Sequence, residues 1–255
     1  MSLKITKTFI YLTIIFILAL SIRILSANIT DVGTDEMIYS IIPLNIISAG
    51  RLGTVEQSPL AFYLNDLSYT ILGGIGPISA RLPSIIFGSL AVFLIYLIAY
   101  ELTQDKKSSL LSALIYSLSG FITYNITEMD TIAFFFMLLS TYFFILAFHK
   151  NIKYLYFATT FFALGILTKN LVLLFFPAYI ITYILHLQKH HKTETEKYAL
   201  NKKYLKTPLL CLIIFLFLLL PIFSYNYLIK EEKGISDYYF SNILGYGKTV
   251  HQGMQ

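Results

Sequence analysis

The chain has 255 residues, of which 56% are hydrophobic and only 13% charged, and its mean hydropathy is +0.69. A soluble domain carries about 25% charged residues, so the composition excludes a water-soluble globular protein and points to an integral membrane protein. The net charge of +5 falls in short patches between apolar runs, which is a topology signal rather than the continuous basic stripe of a nucleic-acid binder. No nucleic-acid partner is expected, and the single cysteine, Cys211, excludes a disulfide framework.

A membrane-crossing helix needs roughly 20 apolar residues. Runs at 8–27, 78–100, 108–125, 130–149, 152–169, 170–187 and 208–229 meet or approach that length and predict seven crossings. The first run is too long for the core of a signal peptide, and no small-residue cleavage site follows it, so it reads as a retained helix. The run 108–125 is the most polar of the seven, and 152–187 reads as a tight hairpin broken near Thr168-Lys169-Asn170.

Orientation follows from the loop cations. With a cytoplasmic N-terminus the inner segments hold the lysines at 4, 7, 106, 107, 150, 153 and in the basic loop 188–207. The outer segments then hold only Arg51, Lys230, Lys233 and Lys248, so the positive-inside rule places the N-terminus in the cytoplasm. Three further cations, Arg23, Arg81 and Lys169, lie within or at the ends of apolar spans. In this topology they share the outer face with Asp35, Glu36, Glu128 and Asp130. Adjacent carboxylates such as Asp35-Glu36 are costly at a membrane boundary unless they are paired or used.

The first outer loop, 28–77, is apolar for a loop. Met37 to Ala49 and Pro59 to Leu72 read as two amphipathic helices lying in the interface plane. Gly50-Arg51-Leu52-Gly53 and Gly73-Gly74-Ile75-Gly76-Pro77 punctuate them as turns. The outer tail, 230–255, stops without a helix or a capping segment, the pattern of a module cut from a longer chain. The fold class expected is an all-α polytopic membrane protein, a single module over 1–255 with seven transmembrane helices and two interfacial helices.

Several stretches stand in a telling order: Arg23, Thr34-Asp35-Glu36, Gln57-Ser58-Pro59-Leu60-Ala61-Phe62-Tyr63, Ala80-Arg81-Leu82-Pro83-Ser84, Glu128-Met129-Asp130 and Leu164-Gly165-Ile166-Leu167-Thr168-Lys169. This order resembles the N-terminal module of the GT-C glycosyltransferases, in the protein O-mannosyltransferase and aminoarabinose-transferase-like group. The resemblance implies a sugar donor carried on a polyprenyl phosphate and used on the outer or lumenal face of a cell membrane or an endoplasmic-reticulum-type membrane. It also implies that Asp35 takes the catalytic position with Glu36 as its partner, and that Arg81 is the arginine opening the second helix. Three features depart from the pattern, the first being that the several further helices and outer domain usual in the family do not follow in this sequence. Gln57 and Ser58 stand where a His or Lys commonly precedes the proline, and the tryptophan-rich acceptor motif of the oligosaccharyltransferase branch is impossible in a chain without Trp.

The residue types suit that chemistry. Transfer from a lipid-phosphate sugar needs a base to take the acceptor hydroxyl's proton, the role read for Asp35. It also needs cations to stabilise the leaving phosphate, the role read for Arg81 and Lys169. Arg23 serves either the phosphate or the pairing of Asp35 or Glu36. Glu128 and Asp130 suit acceptor or sugar hydroxyls, or a divalent cation such as Mg²⁺ or Mn²⁺. Each residue also has a plainer reading: Thr34 or Asp35 as a helix cap, and the cations as side chains snorkelling to the headgroups. The alternatives of a different class are a transporter or flippase of a lipid-linked or anionic substrate and an inactive truncated copy. The expected partners are the donor, the bilayer and a protein, lipid or glycan acceptor.

Overall fold

The computed structural model describes residues 6–30, 40, 58–119, 129–193 and 202–233. All the elements among them are helical. In chain order they are α1 (Lys7–Ile29), α2 (Leu60–Leu72), α3 (Pro77–Thr103), α4 (Lys106–Leu118), α5 (Met129–His149), α6 (Tyr154–Thr168), a 3₁₀ segment (Asn170–Phe175), α7 (Phe176–Thr193) and α8 (Lys202–Lys233). Apart from Ser40, the expected helix from Met37 to Ala49 lies outside the described residues, as do the turn at 50–53 and the site residues Asp35, Glu36 and Glu128.

Helices α1, α3 and α5 are long and apolar enough to cross a membrane, and shorter apolar helical stretches cover 154–168, 170–186 and 206–222. The chain is therefore an all-α integral membrane protein. Two spans differ from the sequence expectation. Where 108–125 was expected, α4 ends at Leu118 after 13 residues, about 20 Å at 1.5 Å per residue. The stretch 170–187 is not one continuous α-helix: six residues of 3₁₀ helix precede α7.

Helix α3 forms the hub, packing against α1, α2, α4 and α5, while α6 packs on α5 and α8. Fully buried alanines at 19, 91, 113 and 163 let helix backbones approach closely, which is how helices associate where lipid removes most of the hydrophobic drive. Conversely, Phe9, Ile14, Ile17 and Leu25 of α1 and Leu212 and Phe217 of α8 are exposed, as expected of surfaces facing lipid.

Each end of the bundle carries acidic and basic side chains together. Beyond the C-terminal end of α5, Lys150 Nζ lies 2.8 Å from Glu101 Oε1 near the C-terminal end of α3, with His149 Nδ1 at 3.7 Å from Oε2. Helices α3 and α5 therefore run parallel, and Arg81 and Asp130, near their N-termini, share the opposite end.

Pro83 explains how α2 is fastened. A proline inside a helix has no N–H, so the carbonyl four residues earlier loses its intrahelical donor. Here that carbonyl belongs to Ser79, and Ser68 Oγ of α2 donates to it at 2.6 Å, with both residues buried. The buried stripe of α2 is Ala61, Phe62, Asn65, Ser68 and Tyr69, and its exposed side carries Leu67, Ile71 and Leu72. The predicted amphipathic helix is thus present, with Asn65 and Ser68 turned toward the protein and leucine and isoleucine turned outward.

Candidate active site

At the Arg81 end of the bundle, α6 stops at Thr168, and Lys169 takes an extended conformation (φ −151°, ψ 121°) before the 3₁₀ segment begins. Gly165 leaves room for this tight reversal: a Cβ there would lie 3.2 Å from Val172 Cγ1 of the returning segment, which would have to give by a few tenths of an ångström. The reversal presents Lys169 Nζ to Asp130 Oδ1 of α5 at 2.5 Å, with the two side chains 32% and 43% exposed. Beside it, Asn170 Oδ1 accepts a 2.6 Å hydrogen bond from Ser58 Oγ, 112 residues away. Ser58, one of the two residues standing where the family pattern has a cation, thus ties the segment before α2 to the Lys169 turn.

Asp130 and Lys169 line a cavity of about 460 Å³. The remaining wall is mostly apolar and includes Phe134, Met137, Leu171, Val172 and Phe175, with Tyr116 and Thr131 as its other polar contributors. A charged pair at an apolar slot suits an amphiphile with an anionic head and a hydrocarbon body.

The two arginines are both 1% exposed. Arg81 Nη1 donates to Ala27 O and to Thr30 O, the latter at 3.1 Å. It thereby satisfies carbonyls at the C-terminal end of α1, where backbone acceptors have no helical partner and a cation meets the negative end of the dipole. Arg81 thus anchors the chain where the segment containing Asp35 and Glu36 departs. Arg23 lies within α1. Its Nη1 donates to Ala19 O at 3.1 Å, and its guanidinium sits 5.4 Å from the centre of the Tyr116 ring.

Among the described residues the structure therefore brings Lys169 and Asp130 together and places Arg81 at the same end, with Arg23 beneath. Asp35, Glu36 and Glu128 lie outside the described residues. Ser58, Asn170, Tyr116, Gly88 and Thr131 were not singled out from the sequence as site residues. The one available signal was a small residue, Gly88, inside an otherwise bulky apolar helix, which marks a close approach. No group of three or more His, Cys, Asp or Glu side chains comes together among the described residues. Asp130 Oδ1 already faces the Lys169 ammonium, which would compete with any cation.

Residues 56–220 match the model of the dolichyl-phosphate-mannose-protein mannosyltransferase family, a stretch that runs from just before Ser58 through Arg81, Asp130 and Lys169 into α8. Neither a curated protein nor a solved structure gives a match. With most of its length under that family model, and with an all-helical membrane architecture, the chain belongs to the dolichyl-phosphate-mannose-protein mannosyltransferase family and is a GT-C-like membrane glycosyltransferase module.

Proposed function

We propose that the protein transfers a sugar from a polyprenyl-phosphate donor to a hydroxyl acceptor at the outer face of the membrane. The observation that carries the reading is the Lys169–Asp130 pair lining a largely apolar cavity. In this reading the chain crosses the membrane seven times with its N-terminus inside, and the Lys169 end faces out.

The acceptor hydroxyl attacks the anomeric carbon, and Asp35 takes its proton while Glu36 supports that carboxylate. The bond from the anomeric carbon to the phosphate oxygen breaks, and its electron pair leaves with the polyprenyl phosphate. Lys169, Arg81 and Arg23 stabilise that anion. Asp130 holds Lys169 in place before the donor arrives, and with Glu128 it contacts sugar or acceptor hydroxyls. The polyprenyl chain accounts for the apolar wall of the cavity.

The test uses membranes containing the protein and a radiolabelled polyprenyl-phosphate mannose. Label should move to a protein, lipid or glycan acceptor, and Lys169→Gln and Arg81→Ala should raise the donor KM. Absence of transfer to all three acceptor classes, with the protein folded, would refute the reading.

A further inference from the structure

We propose that Gly88 and Tyr116 are positioning residues that hold the Arg23 guanidinium as a two-pronged receptor for an oxyanion; this rests on the donor-phosphate reading above. The guanidinium is fixed on three sides. Its Nη1 is spent on Ala19 O. One face lies against the Tyr116 ring, and the Tyr116 hydroxyl donates to Gly88 O at 3.1 Å, locking ring, α3 and α4 together. The third side is the bare backbone of Gly88, where a Cβ would lie 2.9 Å from Arg23 Nε and 2.8 Å from Thr131 Cγ2. Those are distances real Cβ atoms do not tolerate, so any side chain at 88 would displace the guanidinium.

What remains is chemically specific. Nε and Nη2 are buried, and among the described residues neither has a hydrogen-bond partner. The Tyr116 hydroxyl comes within hydrogen-bonding range of the guanidinium as well as interacting with its charge, but its own proton goes to Gly88 O, and it gives neither nitrogen a hydrogen bond of good geometry. Nε–H and Nη2–H share one edge of the planar group, and two parallel donors on one edge match two oxygens of a phosphate or carboxylate. Buried donors left without acceptors carry the full cost of desolvation, so this edge awaits an acceptor. Thr131 connects it to the cavity, because its methyl shares the Gly88 notch and its side chain lines the wall beside Asp130 and Lys169. The oxyanion chemistry has two sources, the donor phosphate and a carboxylate of Asp35 or Glu36; the donor phosphate is the source assigned.

The experiment measures binding of farnesyl phosphate, with farnesol as the uncharged control, to the full chain in detergent. Wild type is compared with Arg23→Gln, Gly88→Ala, Tyr116→Leu, Tyr116→Phe and the double variant Asp35→Asn/Glu36→Gln. Arg23→Gln and Gly88→Ala should weaken farnesyl phosphate binding by about 10- to 100-fold, the scale of a lost charge-assisted contact, and leave farnesol binding unchanged. Tyr116→Leu should lose more than Tyr116→Phe, which keeps the ring. Thermal melting of each variant separates unfolding from loss of the receptor. Wild-type farnesyl phosphate affinity in a folded Gly88→Ala and a folded Tyr116→Leu overturns the positioning role. Should Arg23→Gln bind normally while Lys169→Gln does not, Arg23 falls out of the phosphate site and only the wider reading survives. Tenfold tighter binding in Asp35→Asn/Glu36→Gln would assign the edge to the loop carboxylates and overturn the assignment to phosphate.

Discussion

Removing the Ser68 hydroxyl tests how a proline motif builds the Arg81 end of the bundle. Ser68→Ala leaves the Ser79 carbonyl without the donor that Pro83 denies it. Orphaning a buried backbone acceptor costs about 1–3 kcal/mol, while hydrogen bonds measured in membrane proteins average about 0.6 kcal/mol with a maximum near 1.7. Ser68 and Ser79 are each 4% exposed, which argues for the upper part of the membrane range, about 1–1.5 kcal/mol. The control is Pro83→Ala, which restores the N–H at position 83 and lets the helix satisfy Ser79 itself. Unfolding free energies in mixed micelles should then show Ser68→Ala costing much less in the Pro83→Ala background. A coupling below about 0.3 kcal/mol, the limit at which sites count as independent, would refute this reason for the proline.

Other outcomes follow from the same geometry. The Lys169–Asp130 pair is partly exposed, so Lys169→Gln should cost about 0–1 kcal/mol of stability yet lower transfer activity by about 10²–10³-fold; equal losses in both would mean a structural role. Gly165→Leu should push the 3₁₀ segment off α6 and abolish activity, whereas Gly165→Ala, with its Cβ 3.2 Å from Val172, should only weaken it, as activity and melting together would show. Asp105 caps α4, and the hydrogen bonds from the Ser108 hydroxyl and the Ser108 and Lys107 amides hold its carboxyl below the usual carboxylate range. A depressed carboxyl stabilises the fold when ionised, so that contribution is complete above the ordinary carboxylate range. It disappears as pH falls through the lowered value; Asp105→Ala should flatten the acid limb of a melting-temperature profile.

Much of the bundle is legible from the pattern of apolar runs, because lipid demands long, internally satisfied helices. The expected 8–27, 78–100 and 130–149 correspond to α1, α3 and α5 at 7–29, 77–103 and 129–149. The break at Thr168-Lys169-Asn170 is real as well, since α6 ends at Thr168. Periodicity could not give the 3₁₀ start of the next helix, where Val172 packs close to Gly165 of α6. The outward-facing leucines of α2 were equally hidden, because an amphipathic stripe has the same spacing whichever side meets lipid. Arg23 was visible as a misplaced charge, but its seat between Gly88 and Tyr116 joins three helices and leaves no local signature. The Ser58–Asn170 bond, spanning 112 positions, is of the same kind.

The most direct measurement is the rate of sugar transfer by Asp35→Asn from a radiolabelled polyprenyl-phosphate mannose at saturating donor, with melting recorded in parallel. Loss of a positioned base predicts a fall in kcat of about 10²–10⁴-fold, with the melting temperature and donor KM unchanged. Wild-type kcat in that variant would contradict the assignment of Asp35 as the base and, with it, the proposed mechanism.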